Sequence, residues 1–162
     1  MIVKVKNAKN PTLTKLLKLS ANFFANQLMS KRLINNLNIQ IILQDKLKAG
    51  GFCFSEDNGK RQRNFTIDIA KYKQPLRIIR ILAHEMVHVK QYAKNELRDV
   101  SYKKNSAISW QGKYYIDVLY WDQPWEIEAY GLENGLVAKF LMEYQLFKFF
   151  KERKGDWIPY NE

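Results

Sequence analysis

The chain has a single cysteine, Cys53, so no disulfide can form within it, and a lone thiol suits a reducing compartment. Histidine is nearly as scarce: there are two, His84 and His88. Acidic residues are the minority charge, 16 against 27 Lys and Arg, leaving a net charge of +11. No apolar run approaches the roughly 18 residues a membrane-spanning helix needs. The first 18 residues mix Lys and Asn with short apolar pairs. They carry neither the apolar segment nor the small-residue cleavage site of a signal peptide. The expectation is a cytoplasmic protein with no membrane span. Internal repeats and low-complexity tracts are also missing.

What is present suits one packed domain. Of the 162 residues, 46% are hydrophobic and 14% aromatic, enough for one core of ordinary size without covalent staples. The domain is expected to cover residues 1–154, with 155–162 as a loosely held tail. The positive charge raises the expectation of an acidic partner such as nucleic acid. It is scattered, however, from Lys4, Lys6, Lys9, Lys15 and Lys18 through Arg61 and Arg63 to Lys103, Lys104 and 148–154. A solvated lysine-rich surface explains that spread as readily as a binding stripe does.

Apolar periodicity gives the elements. Leu13, Leu16, Leu17, Phe23, Phe24, Leu28 and Leu33 predict a helix from Pro11 to about Asn35, with Asn10 as its cap. Leu37 to Leu43 reads as a strand, as do Ala49 to Ser55 and Arg63 to Ala70. Asn58-Gly59 between the last two is a hairpin signal. A helix follows from Gln74-Pro75 to about Leu97. Asp99 to Trp121 reads as irregular or hairpin-like, with a strand pair within Trp110 to Tyr115. Pro124 opens a last helix running past Phe140 toward Lys151, weakened by Gly131 and Gly135. Its crowded apolar residues, among them Phe140, Leu141, Tyr144, Phe149 and Phe150, predict core packing. The class is α+β, with a small hairpin-rich sheet beside helices.

His84-Glu85-Met86-Val87-His88 carries the chemistry. Positions four apart lie one turn apart on the same helix face, so both imidazoles can reach one metal ion. Glu85 is placed to act as general base on a water activated by zinc. With both histidines inside the motif, chance is a poor explanation: a shuffled chain would do this on the order of once in a thousand times. The flanking Ile81, Leu82, Ala83, Met86, Val87 and Val89 predict a buried helix.

Catalytic zinc usually takes three protein ligands. Gln91 and Lys94 stand where a HExxHxxGxxH continuation would need Gly and His. The third ligand is therefore a carboxylate or Cys53, and Cys53 reads better as a small buried hydrophobe. Glu126 and Glu128, at the start of the last helix, are the leading candidates, and spacing alone does not separate them. Tyr114, Tyr115, Tyr120 and Tyr130 are candidates by residue type for stabilising an oxyanion. Trp110, Trp121 and Trp125 join Tyr114, Tyr115 and Tyr120 in a possible aromatic wall.

Across residues Arg63 to about Leu136, the motif and the segments Trp110 to Lys113 and Trp121 to Gly131 resemble the gluzincins. The small size is similar to minigluzincins and to SprT-like metallopeptidases encoded by phages, for which the compartment would be the host cell cytoplasm. The resemblance implies a zincin-like fold with an N-terminal helix, a HExxH helix and a long C-terminal glutamate helix. It implies Zn2+ held by His84, His88 and Glu126, and a protein or peptide substrate paired along the strand Arg63 to Ala70. Gluzincins place an Asp where this chain has Tyr130. That Asp usually hydrogen-bonds a zinc histidine, a role left here to Glu128 or a backbone carbonyl. The expected function is zinc-dependent peptide hydrolysis. The alternatives are a DNA-associated SprT-like protein and a catalytically idle zinc-stabilised binding module.

Overall fold

Strands β2 (Asn38–Gln44) and β4 (Asn64–Ala70) pair in parallel at the centre of a four-stranded sheet. On one face Ile39, Ile41, Leu43, Phe65, Ile67 and Ile69 are buried, while the residues between them are partly or fully exposed. Among the described residues helices cover only that face: α1 (Pro11–Leu28) and α3 (Pro75–Ala93) pack there. The computed structural model describes residues 1–59, 61–102 and 105–147.

The sheet order is β1-β2-β4-β3. β1 (Ile2–Lys6) pairs in parallel with β2, and β3 (Gly51–Ser55) pairs antiparallel with β4. The sheet is thus mostly parallel and not rich in hairpins. Among the described residues its one antiparallel pair is β3–β4, and the expected Asn58-Gly59 lies in the segment that joins them. Alternating apolar and polar residues usually belong to antiparallel sheets with one wet face. Here a one-sided parallel sheet gives the same pattern. β1 was not anticipated, since only Val3 and Val5 are partly buried among exposed neighbours.

The N-terminal helix is also shorter than its periodicity suggested. Asn10 caps it, its Oδ1 accepting from the Thr12 N–H at 2.8 Å. Met29 then turns extended, and a short α2 (Lys31–Ile34) follows. The apolar rhythm continues across the break because Ile34 and Leu37 still enter the core.

α3 ends at Ala93 and not near Leu97; Asn95 takes a left-handed φ of 62°, which Asn tolerates better than most residues. The segment expected to be irregular or hairpin-like holds a three-stranded antiparallel sheet of β5 (Leu97–Tyr102), β6 (Asn105–Trp110) and β7 (Lys113–Tyr115), and the strand pair expected at Trp110 to Tyr115 is the turn from β6 to β7. Trp110 pairs with Lys113 across a two-residue turn. Gln111 and Gly112 both have positive φ, 47° and 84°, the conformation a type I′ turn requires. After a 3₁₀ turn at Tyr120–Asp122, α4 (Pro124–Glu143) packs chiefly along α3 and also touches α1. Gly131 and Gly135 are exposed and meet nothing nearby. The expected extension of α4 beyond 147, with Phe149 and Phe150, lies outside the described residues, as does the expected tail 155–162.

Among the described residues four α-helices and two sheets make this a mixed α+β protein. No described helix is long and apolar enough to cross a membrane. Phe140 ties α4 to α1: it is fully buried, with its ring centroid 5.5 Å from that of Phe23 and 5.7 Å from that of Phe24. Phe140→Ala is expected to lower stability by about 3–5 kcal/mol, read as a shift of the urea midpoint at unchanged slope.

Candidate metal centre

From Leu82 to Gln91 every residue of α3 is buried. The helix is sandwiched between the sheet and α4, so even its polar positions are largely withdrawn from water. Five of these ten residues are polar or charged: His84, Glu85, His88, Lys90 and Gln91. Buried polar groups require partners, and α4 supplies most of them.

Three of the side chains converge. His88 Nε2 lies 3.2 Å from His84 Nε2. Glu126 Oε2 is 3.2 Å from His84 Nε2, and its Oε1 is 3.3 Å from His88 Nε2. Among the described residues this group, and no other, is arranged to share a metal ion. A tetrahedral ion with ligands at about 2.0–2.1 Å needs ligand-to-ligand edges of about 3.3 Å, so the three edges fit. Glu126 is delivered by the first turn of α4, which Pro124 starts.

The outer nitrogens are held as well. His84 Nδ1 is 3.0 Å from Glu133 Oε2, two turns along α4 from Glu126. A carboxylate can only accept there, so Nδ1 donates, and when the ring is neutral its Nε2 lone pair faces inward. His88 Nδ1 is 2.8 Å from Gln91 Oε1. Such partners orient metal-binding histidines and raise their basicity.

Glu133 therefore fills the role expected of Glu128 or a backbone carbonyl. Glu128 instead accepts from Lys90 Nζ at 2.7 Å and from Gln91 Nε2 at 2.8 Å, and takes no part in the cluster. The signal for Glu133 was present in sequence: it follows Glu126 by seven residues and so shares its helix face. Cys53 is not part of the cluster; it packs against the core, and burial, with Glu85 adding, pushes its thiol well above the ordinary range.

Electrostatics follow from this crowding. Burial opposes a charge on His84, yet hydrogen bonds to Glu126 and Glu133 lift its pKa to about 9. Burial works against Glu126 too, but hydrogen bonds to His84 and His88 hold its carboxyl well below the usual range. In this cluster, any positive charge is strongly stabilised. Glu85 differs. Burial raises its pKa to about 7, against the lowering influence of His88 and His84.

Glu85 reaches into a cavity of about 260 Å³ bordered by His84, His88, Glu126, Tyr120 and the strand β3. A Cβ added at Gly51 would stand 2.6 Å from Glu85 Oε1 and 2.7 Å from Ile81 Cγ2. Gly51 thus makes room for the carboxylate. Tyr120 donates to Glu126 Oε2 at 2.7 Å and meets the Tyr130 hydroxyl at 3.3 Å. Although the Tyr120 ring is exposed, burial of its hydroxyl end, with Tyr130 and Glu126, pushes its pKa far up, so it stays a donor. The Tyr130 ring stands edge-on to His84, with centroids 4.6 Å apart. The aromatic wall divides in two. Trp110, Trp125 and Tyr115 belong to a small second core with Leu97, whereas Tyr120 and Trp121 are exposed.

Two outcomes are expected in the metal-free protein. Glu85 has a folded pKa near 7, above the unfolded value near 4.5, so its charge disfavours folding increasingly as pH rises from about 4.5 to 7. Glu85→Gln is therefore more stable than the parent at pH 8 by roughly 2–4 kcal/mol, and about equal at pH 4. Thermal melts at the two pH values check this; a gap of the same size at both would contradict it. Gly51→Val should lower stability by about 1–3 kcal/mol through overpacking, measured by urea unfolding.

Comparison with protein-family models, with curated proteins and with solved structures finds no match to this chain. Its function must be argued from the site itself.

Proposed function

We propose that this protein is a zinc-dependent metallopeptidase of the gluzincin type, with His84, His88 and Glu126 holding the ion and Glu85 as general base. The observation that carries this reading is the convergence of two imidazoles and one carboxylate at edges of 3.2–3.3 Å, with Glu85 in the adjoining cavity. When bound, zinc supplies Lewis acidity and lowers the pKa of a coordinated water.

The remaining steps belong to the chain. Glu85, with its pKa near 7, takes the proton of the attacking water and delivers it to the leaving amine. Glu133 and Gln91 hold the outer nitrogens of the two histidines. Of the four tyrosines considered, Tyr120 alone lines the cavity, and its hydroxyl would meet a developing oxyanion by turning from Glu126 once that carboxylate held the ion.

Substrate pairing needs a correction. β4 is flanked by β2 and β3, so its hydrogen-bonding edges are already taken. β3 is the edge strand, and Gly51 and Cys53 border the cavity. An extended peptide adding to the sheet would pair with β3.

A second reading has one observation in its favour. Arg32, Arg61 and Arg63 surround a cavity of about 510 Å³ near the starts of β2 and β4. Contact with nucleic-acid phosphates there predicts an affinity that falls steeply with salt. The idle binding module is disfavoured by Glu85, since a structural site gains nothing from a buried carboxylate beside it.

Elemental analysis and a peptidase assay test the proposal together. The parent should hold about one zinc per chain. Glu126→Ala should lose it and Glu128→Ala keep it. Glu85→Gln should keep the zinc with kcat reduced by at least about 100-fold. Hydrolysis at parental rate by Glu85→Gln would refute the mechanism, and a parent that takes up no zinc would refute the site.

A further inference from the structure

Gln91 is fully buried one turn beyond the HExxH motif, and all of its polar atoms are engaged. Its amide nitrogen donates to the Trp125 carbonyl at 2.9 Å and to Glu128 Oε2 at 2.8 Å. Neither acceptor can donate in return. Turning the amide over would set Oε1 against two oxygens with no hydrogen between them, so one orientation is dictated. Glu128 cannot drift to relieve that constraint. Its Oε1 is held by Lys90 Nζ at 2.7 Å, and Lys90 is itself held by Glu96 Oε2 at 2.8 Å.

With the amide fixed, Oε1 faces His88 Nδ1 at 2.8 Å. A carbonyl oxygen only accepts, so the hydrogen of a neutral His88 must sit on Nδ1, and the Nε2 lone pair is turned toward His84 and Glu126. The two histidines reach the same tautomer by different means. His84 is held by a carboxylate and His88 by a neutral amide whose direction is set by an ion-pair chain.

We propose that Gln91 is the positioning residue that commits His88 to its Nδ1–H tautomer, and that the chain Glu96–Lys90–Glu128 acts by fixing the Gln91 amide. The proposal builds on the zinc reading above, because the tautomer matters only if Nε2 is to bind an ion. It also accounts for a glutamine in a segment where the longer histidine motif has glycine. The side chain at this position reaches back to the second histidine of its own helix, and glycine could not.

The test uses the full chain with ¹⁵N-labelled histidine. Having only two imidazoles, the protein gives spectra simple enough to assign tautomers directly from two-bond nitrogen–proton correlations. Metal-free parent should show His88 protonated on Nδ1. Zinc affinity, measured by competition with a chromophoric chelator, should fall about 10–100-fold in Gln91→Met, with His88 no longer confined to that tautomer. Gln91→Glu, held protonated by the facing Glu128 carboxylate, would accept at Nδ1 while donating to Glu128, and should keep the tautomer and lose less than tenfold. Circular dichroism establishes that each variant is folded.

Equal losses in the two variants, or a Gln91→Met affinity within threefold of the parent, would overturn the proposal. So would His88 protonated on Nε2 in the metal-free parent. That last result is independent of zinc: a parent that binds no zinc defeats the metallopeptidase reading, while its His88 tautomer still decides the role of Gln91.

Discussion

Everything in this structure turns on the burial of five polar side chains along one helix. A helix with ten consecutive buried residues would ordinarily be apolar all round. α3 instead carries two imidazoles, a carboxylate, an ammonium and an amide into the interior. Each unpartnered group of that kind costs about 1–3 kcal/mol, and charged ones more. α4 meets the demand with Glu126, Glu128 and Glu133, and the pairing of the two helices is as much polar as hydrophobic. The proposed chemistry uses the same contacts that make the burial tolerable. Stability and function are therefore hard to separate at this interface, although distant core positions such as Phe140 affect stability alone.

The sheet contributes through its one-sidedness and its edge. Helices on a single face put α3 directly against β3 and β4. Because β3 runs antiparallel at the margin, it brings a glycine against the catalytic carboxylate candidate and leaves its outer hydrogen-bonding side without a neighbouring strand in the sheet. The small second sheet, with Trp110 and Trp125 beneath it, bounds the cavity on the side of Leu97 and Trp125.

Sequence disclosed the chemical centre more fully than the topology. The HExxH spacing needs only local helix geometry to bring His84 and His88 together, and that much is fixed by residue number. Glu126 could be named as a candidate because helix starts are legible, here from Pro124. Its separation from Glu128 required the direction of each side chain, which depends on how α4 rotates against α3. Gln91 was read only as a missing glycine, and Glu133 was not singled out. Both act through contacts that form after packing. For the sheet, alternation in β2 and β4 showed that one face was buried but not which strands were neighbours. β1 gave almost no signal, since an edge strand needs few apolar residues.

The three glutamates of α4 that serve α3 lie within eight residues, from Glu126 to Glu133. Each residue along an α-helix advances it by roughly 100°. Adding or removing one residue between positions 126 and 133 would therefore swing Glu133 well away from His84 while Glu126 stayed in place. Point substitutions on the exposed side of this stretch, where Gly131 meets nothing, leave that geometry intact. Over its first three turns α4 behaves like a key whose teeth can be polished but whose length cannot change.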